Sequence, residues 1–343
     1  MSKNNKLKKA GTILLVFLLV IDTLAAAHYI YRKIEARIPV PEPEPLQEPV
    51  PQSLFEKYEG NPVLGDDSTG SFFDPFVMKD NDEYRMYVSD RDNGSIVLST
   101  SRDGISWSKP AEVLGKDSTS GWEEIVNRCS VAVKDGTYYL YYTGQQNNVS
   151  RIGVAVSKDG KSFDRIKTDC ILSPEENWEG ISVMNPFVIY DGSEGLFKMW
   201  YSCGDTFEPD MICYATSTDG ISFEKYAYNP IFSKGKNDYD HVKVSVGHVV
   251  KLSDNEYLMF YIGYKTTYEA SICAARSKDG ITGWERSTKN PLIVPTPESW
   301  DQSACYKPTA VYDEASDKWM LWYNGRNDVA EYIGFATYSG NIY

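Results

Sequence analysis

An internal repeat through residues 73–337 constrains the fold more than any other feature of this chain. Each copy has an aromatic-rich apolar run, then a second apolar run, and four copies continue into Ser-x-Asp-Gly and a nearby aromatic residue. The Asp-Gly pairs stand at 103, 159, 219 and 279, which are 56, 60 and 60 residues apart. The aromatic-rich runs are Tyr84–Ser89, Tyr138–Gly144, Phe197–Gly204, Tyr257–Gly263 and Trp319–Gly325. Short strands that repeat every roughly 40–60 residues predict a β-propeller, because one unit cannot bury both of its faces alone.

Each repeat unit holds four strand-like runs, and the Asp-Gly pair predicts a tight hairpin between the third and the fourth. The fifth unit has a third run, Ile333–Thr337, but lacks the Asp-Gly hairpin and a fourth run. At the other end of the chain, Phe55–Leu64 closely matches Phe223–Phe232, the fourth run of unit three. The sequence therefore predicts an all-β, five-bladed β-propeller whose ring is closed by residues 54–64.

The N-terminal part divides into three segments ahead of the predicted propeller domain at 54–343. Residues 1–10 are basic, and residues 11–31 form an apolar run that is long enough to span a bilayer. Basic residues before such a run predict a transmembrane signal anchor with a cytoplasmic tail and an extracytoplasmic propeller, on the cell membrane. Residues 32–53 are a linker rich in Pro and Glu, whose stiffness suits a stalk. The alternative is secretion after cleavage of a signal peptide at Ala25-Ala26-Ala27.

Charge and cysteine spacing exclude several classes of partner. The first 53 residues hold 7 of the 35 Lys and Arg and 5 of the 48 Asp and Glu, so the remainder has a net charge of −15. Such a field disfavours nucleic acid and suits neutral or cationic ligands. The six cysteines show no Cys-x-x-Cys spacing, and buried free thiols are the default interpretation. We expect neither a metal site nor a cofactor.

The central mouth of the ring is the expected place for a site. Aligned starts of the inner strands are Asp74, Cys129, Asn185, Val246 and Lys307. The residues just before them are Phe73, Arg128, Met184, Ser245 and Tyr306. The loops between second and third strands differ strongly from one another, and variable loops on a repeated scaffold usually carry ligand contacts. One of these loops starts at Arg326 and another contains Asp205 and Glu208.

Acidic residues fall into a repeated and an unrepeated set. Glu123, Glu179, Asp240 and Asp301 stand at equivalent places in four units, which predicts a structural role for each. The unrepeated acids are better candidates for a site. They are Asp90, Asp92, Asp205, Glu208, Glu269 and Glu331.

The blade pattern over residues 54–337 resembles the five-bladed propeller glycosidases, which include glycoside hydrolase families 43, 32, 68, 117 and 130. The resemblance implies that Asp74, which precedes Pro75, is the general base or nucleophile. The best match to the second Asp of that group is Asn185, and the general-acid Glu has no match in unit four. Asp205 and Glu208 are our first candidates for the missing acid. The predicted substrate-binding residues are Phe73, Arg128, Asn185, Tyr306, Lys307 and Arg326.

These observations favour a membrane-anchored glycoside hydrolase that acts on an oligosaccharide or polysaccharide. Glycosidic cleavage ordinarily needs one carboxylic acid to protonate the leaving oxygen and a second carboxylate to activate water or attack carbon. Phosphorolysis or transglycosylation in the same cleft is the alternative enzymatic interpretation. A noncatalytic carbohydrate-binding propeller, or a propeller that binds only proteins, is the alternative from another class.

Overall fold

The computed structural model describes residues 52–66, 68–204 and 209–343, together with positions 23, 24, 26–28, 30 and 33. The chain divides into two compact segments, Met1–Val50 and Pro51–Tyr343. Most of the predicted membrane segment 11–31, and of the linker 32–53, lies outside the described residues. Among the residues that are described, no helix combines the length and the apolar character needed to cross a bilayer.

The second segment is built almost entirely from β-strands, in repeat units of four or five strands. In its described part the helical structure is a single 3-10 turn at Asn177–Glu179. Unit one comprises β2 (Phe72–Asp80), β3 (Glu83–Asp90), β4 (Ser95–Ser101) and β5 (Ala111–Leu114). Unit two comprises β6 (Ile125–Lys134), β7 (Thr137–Gln146), β8 (Val149–Ser157) and β9 (Asp164–Arg165). Unit three comprises β10 (Ser182–Asp191), β11 (Leu196–Gly204), β12 (Met211–Ser217), β13 (Glu224–Lys225) and β14 (Phe232–Ser233).

Units four and five share one sheet, joined by a parallel contact between Ala270 and Ala304. Unit four comprises β15 (Lys243–Ser253), β16 (Glu256–Tyr264), β17 (Ala270–Ser277) and β18 (Glu285–Arg286). Unit five comprises β19 (Ala304–Asp313), β20 (Lys318–Arg326), β21 (Glu331–Tyr338) and the early strand β1 (Glu56–Lys57). The first strands contact one another in the cyclic order β2, β6, β10, β15, β19 and again β2.

The Ser-x-Asp-Gly motif folds as a self-capped hairpin. At the first copy, the Asp103 carboxylate accepts hydrogen bonds from Ser101 Oγ (2.8 Å) and from the backbone N–H groups of Ile105 (2.8 Å) and Ser106 (2.7 Å). These bonds hold the pKa of Asp103 below its usual range. Gly104 has a φ of 76°, a backbone conformation that most residues other than Gly and Asn disfavour. The same bonds form around Asp159, Asp219 and Asp279.

In four units an aromatic side chain of the second strand donates a hydrogen bond to the Asp-Gly hairpin of the next unit. The donors are the hydroxyls of Tyr87, to Gly160 O (2.8 Å), and of Tyr141, to Gly220 O (2.9 Å), and the indole N–H groups of Trp200, to Gly280 O (2.7 Å), and of Trp322, to Gly104 O (2.7 Å). In unit four the equivalent residue is Phe260, which has no donor. Unit five, which follows it, lacks the Asp-Gly hairpin, so the missing donor and the missing acceptor coincide.

The N-terminal segment of the described fold occupies the place of a fourth strand beside β21. Strand β1 pairs antiparallel with β21, Glu56 with Thr337 and Lys57 with Ala336. Asn61 exchanges two hydrogen bonds with the backbone of Phe335, at 2.8 and 2.9 Å. Asn229 and Asn290 make the same pairs of bonds to the third strands of units three and four. The match between 55–64 and 223–232 therefore corresponds to a shared set of contacts.

The four repeated acids each bind a tyrosine of the second strand and a basic residue of the fourth. Each acid side chain is fully buried. The Asp301 carboxylate accepts from Tyr323 Oη (3.0 Å) and from Lys57 Nζ (2.6 Å), so the N-terminal strand supplies the base for unit five. Equivalent sets are Glu123 with Tyr142 and Arg165, Glu179 with Tyr201 and Lys225, and Asp240 with Tyr261 and Arg286. Paired in this way, these carboxylates serve the scaffold, as their repetition predicts.

Candidate active site

A β-bulge or register irregularity lies near the start of each inner strand. In four units the bulged residue has a positive φ: 56° at Asp74, 52° at Arg128, 54° at Asn185 and 46° at Lys307. A positive φ is energetically unfavourable for residues other than glycine, and such backbone outliers concentrate at functional sites. Unit four has Val246 and Gly247 at the irregularity instead.

The structure corrects one residue of the sequence alignment. Arg128, not Cys129, occupies the position equivalent to Asp74, and Cys129 is buried. The other three bulged residues precede a proline, at 75, 186 and 308, whereas Cys129 stands where that proline would be. Without the proline as a marker, the apolar pattern alone placed unit two one residue out of register.

At four of the five bulges the backbone N–H donates to an acceptor on the neighbouring unit. Asp74 N donates to Asn324 Oδ1 at 2.8 Å, and Arg128 N donates to Ser89 Oγ at 2.9 Å. Asn185 N and Val246 N bind Thr143 Oγ1 (3.0 Å) and Ser202 Oγ (3.1 Å) in the same way. In these four cases a small polar residue at or near the end of the preceding unit's aromatic-rich run therefore holds the bulge in place, whereas the equivalent residue before the Lys307 bulge is Ile262.

A cavity of about 410 Å³ opens at these bulges. Its lining includes six of the predicted site residues, namely Phe73, Asp74, Arg128, Asn185, Tyr306 and Arg326. Two further acids, Asp90 and Glu331, also line it. Lys307 is buried and is not part of the lining. The predicted acids Asp205 and Glu208 lie outside the described residues, although Pro209, which follows them, lines the cavity.

Asp74 is a buried carboxyl beside two cations. Its Oδ2 lies 3.2 Å from Arg128 Nε, and only 3 % of the residue is exposed. Burial raises the pKa of Asp74, while the charges of Arg128 and Lys307 oppose that rise. Glu331 raises the pKa further. Asp74 therefore has the environment of a carboxyl that holds its proton to higher pH than a solvated Asp.

Glu331 is the second carboxyl that the structure brings to the cavity. Its carboxylate accepts hydrogen bonds from the guanidinium of Arg91 and from the hydroxyl of Tyr306. Arg91 also lies over the ring of Phe73, with 4.1 Å between its Cζ and the ring centroid. Sequence analysis had placed Glu331 only among the unrepeated loop acids. Its position next to unit one follows from the pairing of the chain ends, which no local pattern reveals.

Two amide side chains offer acceptors to a ligand. Asn185 donates through Nδ2 to Ser245 Oγ (2.7 Å), and Asn127 donates through Nδ2 to Gln145 Oε1 (2.8 Å). Within the described part of the chain, neither Oδ1 atom has a hydrogen-bond partner, although both are buried. Buried acceptors are rarely left unpaired, so hydroxyl groups of a bound ligand fit these positions.

Aromatic and cationic groups complete the lining. The guanidinium of Arg326 lies 5.7 Å from the ring centroid of Tyr306 and donates to Tyr268 O at 2.6 Å. Tyr264 also lines the cavity. Among the described residues, no group of three or more His, Cys, Asp or Glu side chains is arranged to hold a metal ion.

Lys307 is a buried amine that does not line the cavity. Burial lowers its pKa to about 8, against the attraction of Asp74 and together with the repulsion of Arg128. Burial and the Lys307 charge lower the pKa of His248 to about 3, so this neighbour is neutral at working pH. Lys307 is therefore placed to influence the protonation of Asp74 rather than to touch a ligand in the cavity.

Replacing Lys307 by Met is expected to raise the pKa of Asp74, because a cation that favours its carboxylate is removed. The limb of the pH profile of kcat/KM that Asp74 controls then moves to higher pH by about one unit. Lys307→Arg keeps the positive charge and is the control, for which we expect a much smaller shift. An unchanged limb in Lys307→Met would contradict this role.

Comparison with known proteins agrees with the fold and defines a carbohydrate-active enzyme of β-propeller-like fold. The family model "Glycosyl hydrolases family 43" matches residues 60–336. The chain therefore belongs to that family, and it is a glycosidase-type enzyme.

Two curated relatives are phosphorylases of Thermoanaerobacter sp. (strain X514). A 1,2-β-oligomannan phosphorylase is 25% identical over 227 residues, which cover 63% of this chain and 70% of the relative. A β-1,2-mannobiose phosphorylase is 30% identical over 138 residues, 35% of this chain and 44% of the relative. The second match thus spans less than half of that relative.

Solved structures share the fold at low sequence identity. A β-1,2-mannobiose phosphorylase from Listeria innocua aligns with a TM-score of 0.64 and 14% identity, over 83% of this chain and 96% of its own. A thermostable family-43 glycoside hydrolase aligns with a TM-score of 0.62 and 17% identity, over 81% and 90%. A third structure comes from the GH130 family of mannoside phosphorylases, which contains glycoside hydrolases that target β-1,2-mannosidic linkages in Candida mannan. It aligns with a TM-score of 0.65 and 18% identity, over 85% of this chain and 96% of its own.

Proposed function

We propose that this enzyme hydrolyses a glycosidic bond of an oligosaccharide in the 410 Å³ cavity, with Asp74 as general acid and Glu331 as the second carboxylate. One observation carries the proposal: two carboxyls in different environments line the same cavity. Asp74 is buried with a raised pKa, and Glu331 is held by Arg91 and Tyr306. Carboxyl pairs whose environments differ in this way divide acid and base roles between them.

The role of Asp74 differs from the one that the family resemblance implies. A general base or nucleophile must be ionised, whereas a general acid must hold its proton until the leaving oxygen takes it. Burial of Asp74 favours the protonated form. Arg128, 3.2 Å from the carboxyl, favours the ion that remains after proton transfer. Both effects together suit a group that gives up a proton during the reaction.

The substrate that we propose to test first is a β-1,2-linked mannooligosaccharide, since both curated relatives carry β-1,2-mannan substrates in their names. The free amide acceptors of Asn127 and Asn185 suit sugar hydroxyls, and Phe73 and Tyr306 suit the apolar faces of a sugar ring. The test is incubation with β-1,2-mannobiose and mannotriose in phosphate-free buffer. Release of mannose supports hydrolysis. Binding without turnover would support the noncatalytic alternative.

Phosphorolysis is a second candidate, because three arginines line the cavity and the curated relatives are phosphorylases. Arg91 and Arg128 are engaged with acids, and the Arg326 guanidinium donates to a backbone carbonyl. The same incubation with inorganic phosphate separates the two reactions. Phosphorolysis yields a sugar 1-phosphate in amounts that depend on phosphate, and hydrolysis yields free sugar at the same rate with or without it.

Asp205 and Glu208 remain alternative sources of the second carboxyl, because their loop leads into Pro209 at the cavity. An Asp205→Asn, Glu208→Gln double variant with full activity would remove them from consideration. Glu331→Gln tests the proposed assignment directly. We expect Glu331→Gln to lose most activity and the double variant to retain it.

We further infer that the units form a five-bladed ring, closed by residues 54–64, and that residues 11–31 anchor it to the cell membrane with the ring outside. Closure is supported by the pairing of β1 with β21, and the anchor by the basic, then apolar N-terminal sequence. Fractionation of cells that express the full chain tests the anchor. Recovery in the membrane pellet, with release on removal of residues 1–31, is expected; recovery of a shortened secreted chain indicates cleavage.

A further inference from the structure

Two buried thiols approach each other on adjacent strands of unit three. Cys203, near the end of β11, and Cys213, on the adjacent β12, have sulfur atoms only 2.9 Å apart. Both residues are fully buried. A disulfide bond is about 2.05 Å long, so the two sulfurs are less than about 1 Å from bonding distance.

The repeat itself supplies an internal comparison. The positions equivalent to Cys203 and Cys213 are Gly144 and Gly153 in unit two, Gly263 and Cys273 in unit four, and Gly325 and Gly334 in unit five. A Cβ atom at Gly263 would lie 3.2 Å from Cys273 Sγ, so the two positions approach each other in unit four as they do in unit three.

The space between the two positions is filled differently in each unit. In units two and five an indole occupies it, since a Cβ at Gly144 would lie 2.4 Å from the ring of Trp122, and one at Gly325 would lie 2.2 Å from Trp300. Unit three has a thiol at both positions. Unit one has Asp90 and Val97 at these positions, and units two, four and five have at least one glycine there, so among the described units two thiols meet in unit three alone. Two thiols in contact need an explanation beyond core filling.

We propose that Cys203 and Cys213 form a disulfide bond in the mature protein. The two thiols lose two protons and two electrons to a disulfide oxidant, which is reduced to two thiols, and one S–S bond forms. The bond would close residues 203–213 into a loop, next to the hydrogen bond from Asp210 N to Cys203 O (2.9 Å). This loop contains Pro209, which lines the cavity. The disulfide would therefore fix one wall of the mouth.

The remaining cysteines of the described fold are not arranged in this way. Cys305 donates to Asp301 Oδ2 at 3.4 Å, and Cys273 pairs with Tyr261 and has Gly263, not a second cysteine, at the position equivalent to Cys203. Cys129 is buried beside the bulge of unit two, and Cys170 is partly exposed in the connection after β9. We thus expect one disulfide and four free thiols among the six cysteines.

Burial determines when the bond can form. It raises the pKa of the Cys213 thiol well above its usual value, which suppresses the reactive thiolate in the folded protein. Oxidation would occur while the chain folds, in an oxidising compartment such as the one predicted outside the membrane. Once folded, the bond would resist reductants that cannot reach it.

The test uses the full chain, unfolded in reductant and refolded with and without a mixture of reduced and oxidised glutathione. After refolding, free thiols are alkylated under denaturing conditions and the protein is digested without reduction. A linked peptide pair containing Cys203 and Cys213, lighter by two hydrogens than its parts, is expected only after oxidative refolding. Six alkylated cysteines, or Cys203 linked to another partner, would overturn the proposal.

A second readout is thermal unfolding with and without the disulfide. The oxidised chain should unfold at a midpoint on the order of 5 °C above the reduced chain, because the cross-link restricts the unfolded state. A Cys203→Ala, Cys213→Ala double variant should show no such difference, while Cys170→Ala should retain it. An equal difference in the double variant would contradict the assignment. Neither readout depends on the proposed catalytic activity.

Discussion

Replacing Asp74 by Asn is expected to lower kcat/KM for oligosaccharide cleavage by about 10²–10⁴-fold, the usual contribution of a positioned general acid or base. The amide cannot transfer the proton that the buried carboxyl holds at the cavity wall. The measurement is the initial rate on a β-1,2-linked mannooligosaccharide. Asp90→Asn is the matched control, because Asp90 lines the same cavity but accepts hydrogen bonds from the N–H groups of Asp92 (3.0 Å) and Asn93 (3.2 Å) in its own loop.

The leaving group distinguishes the possible roles of Asp74. An aryl glycoside with an acidic phenol departs without a proton, so a variant that lacks its general acid retains most activity on that substrate. A variant that lacks its base or nucleophile loses activity on both substrates. We expect Asp74→Asn to cleave the aryl glycoside at close to the normal rate and Glu331→Gln to fail on both. The reverse pattern would return Asp74 to the role that the family resemblance implies, and full activity of Asp74→Asn on oligosaccharides would reject both.

The second large effect is structural: Lys57→Met is expected to destabilise the protein by about 3–5 kcal/mol. Asp301 is fully buried, and Lys57 Nζ lies 2.6 Å from its carboxylate. Removal of the ammonium leaves a buried charge whose remaining partners include the hydroxyl of Tyr323. The measurement is the free energy of unfolding from a denaturant titration, in the protein without residues 1–31.

Two further variants separate a lost buried partner from a general effect of Lys→Met. Lys79→Met removes a surface pair with Asp313, 4.0 Å long and partly exposed, and should change the free energy of unfolding by no more than about 1 kcal/mol. Adding Asp301→Asn to Lys57→Met removes the unpaired charge and should recover part of the loss. If Lys57→Met matches Lys79→Met in its effect, the N-terminal strand does not contribute to the last unit as we propose.

The repeat architecture could be anticipated because its determinants are local. Asp103 and Gly104 define their hairpin through bonds within six residues of sequence, and the same letters recur in three other units. The equivalence of 55–64 with 223–232 was visible for the same reason. Repetition also distinguished the four buried acids from candidate site residues. A contact that stabilises the scaffold in four units requires an equivalent acid in each of them, and the sequence shows all four.

The chemistry of the mouth was only partly predictable, because it depends on register and on contacts between distant residues. The bulge of unit two directs Arg128 toward Asp74. A bulge one residue later would fit the apolar pattern of the strand equally well, so the pattern does not fix its position. Glu331 meets Arg91 across 240 residues of sequence, and only the juxtaposition of the first and last units brings them together. An unrepeated residue in a variable loop does not indicate which distant residue it contacts in the folded protein. The sequence therefore named Asp74 and several other residues of the cavity lining as site candidates, but it did not indicate that Glu331 contacts Arg91 and Tyr306.

The salt bridge between Lys57 and Asp301 has a consequence for biosynthesis. The two residues are 244 positions apart, and a ribosome adding about 5–20 residues per second needs roughly 10–50 s to reach Asp301 after Lys57 has been made. Throughout this interval the N-terminal strand has no sheet to join, and the partner strand β21 is synthesised later still. The first strand of the described fold is thus among the last to be placed. A nascent chain of this protein must keep that segment from pairing with the open edges of other units until translation is nearly complete.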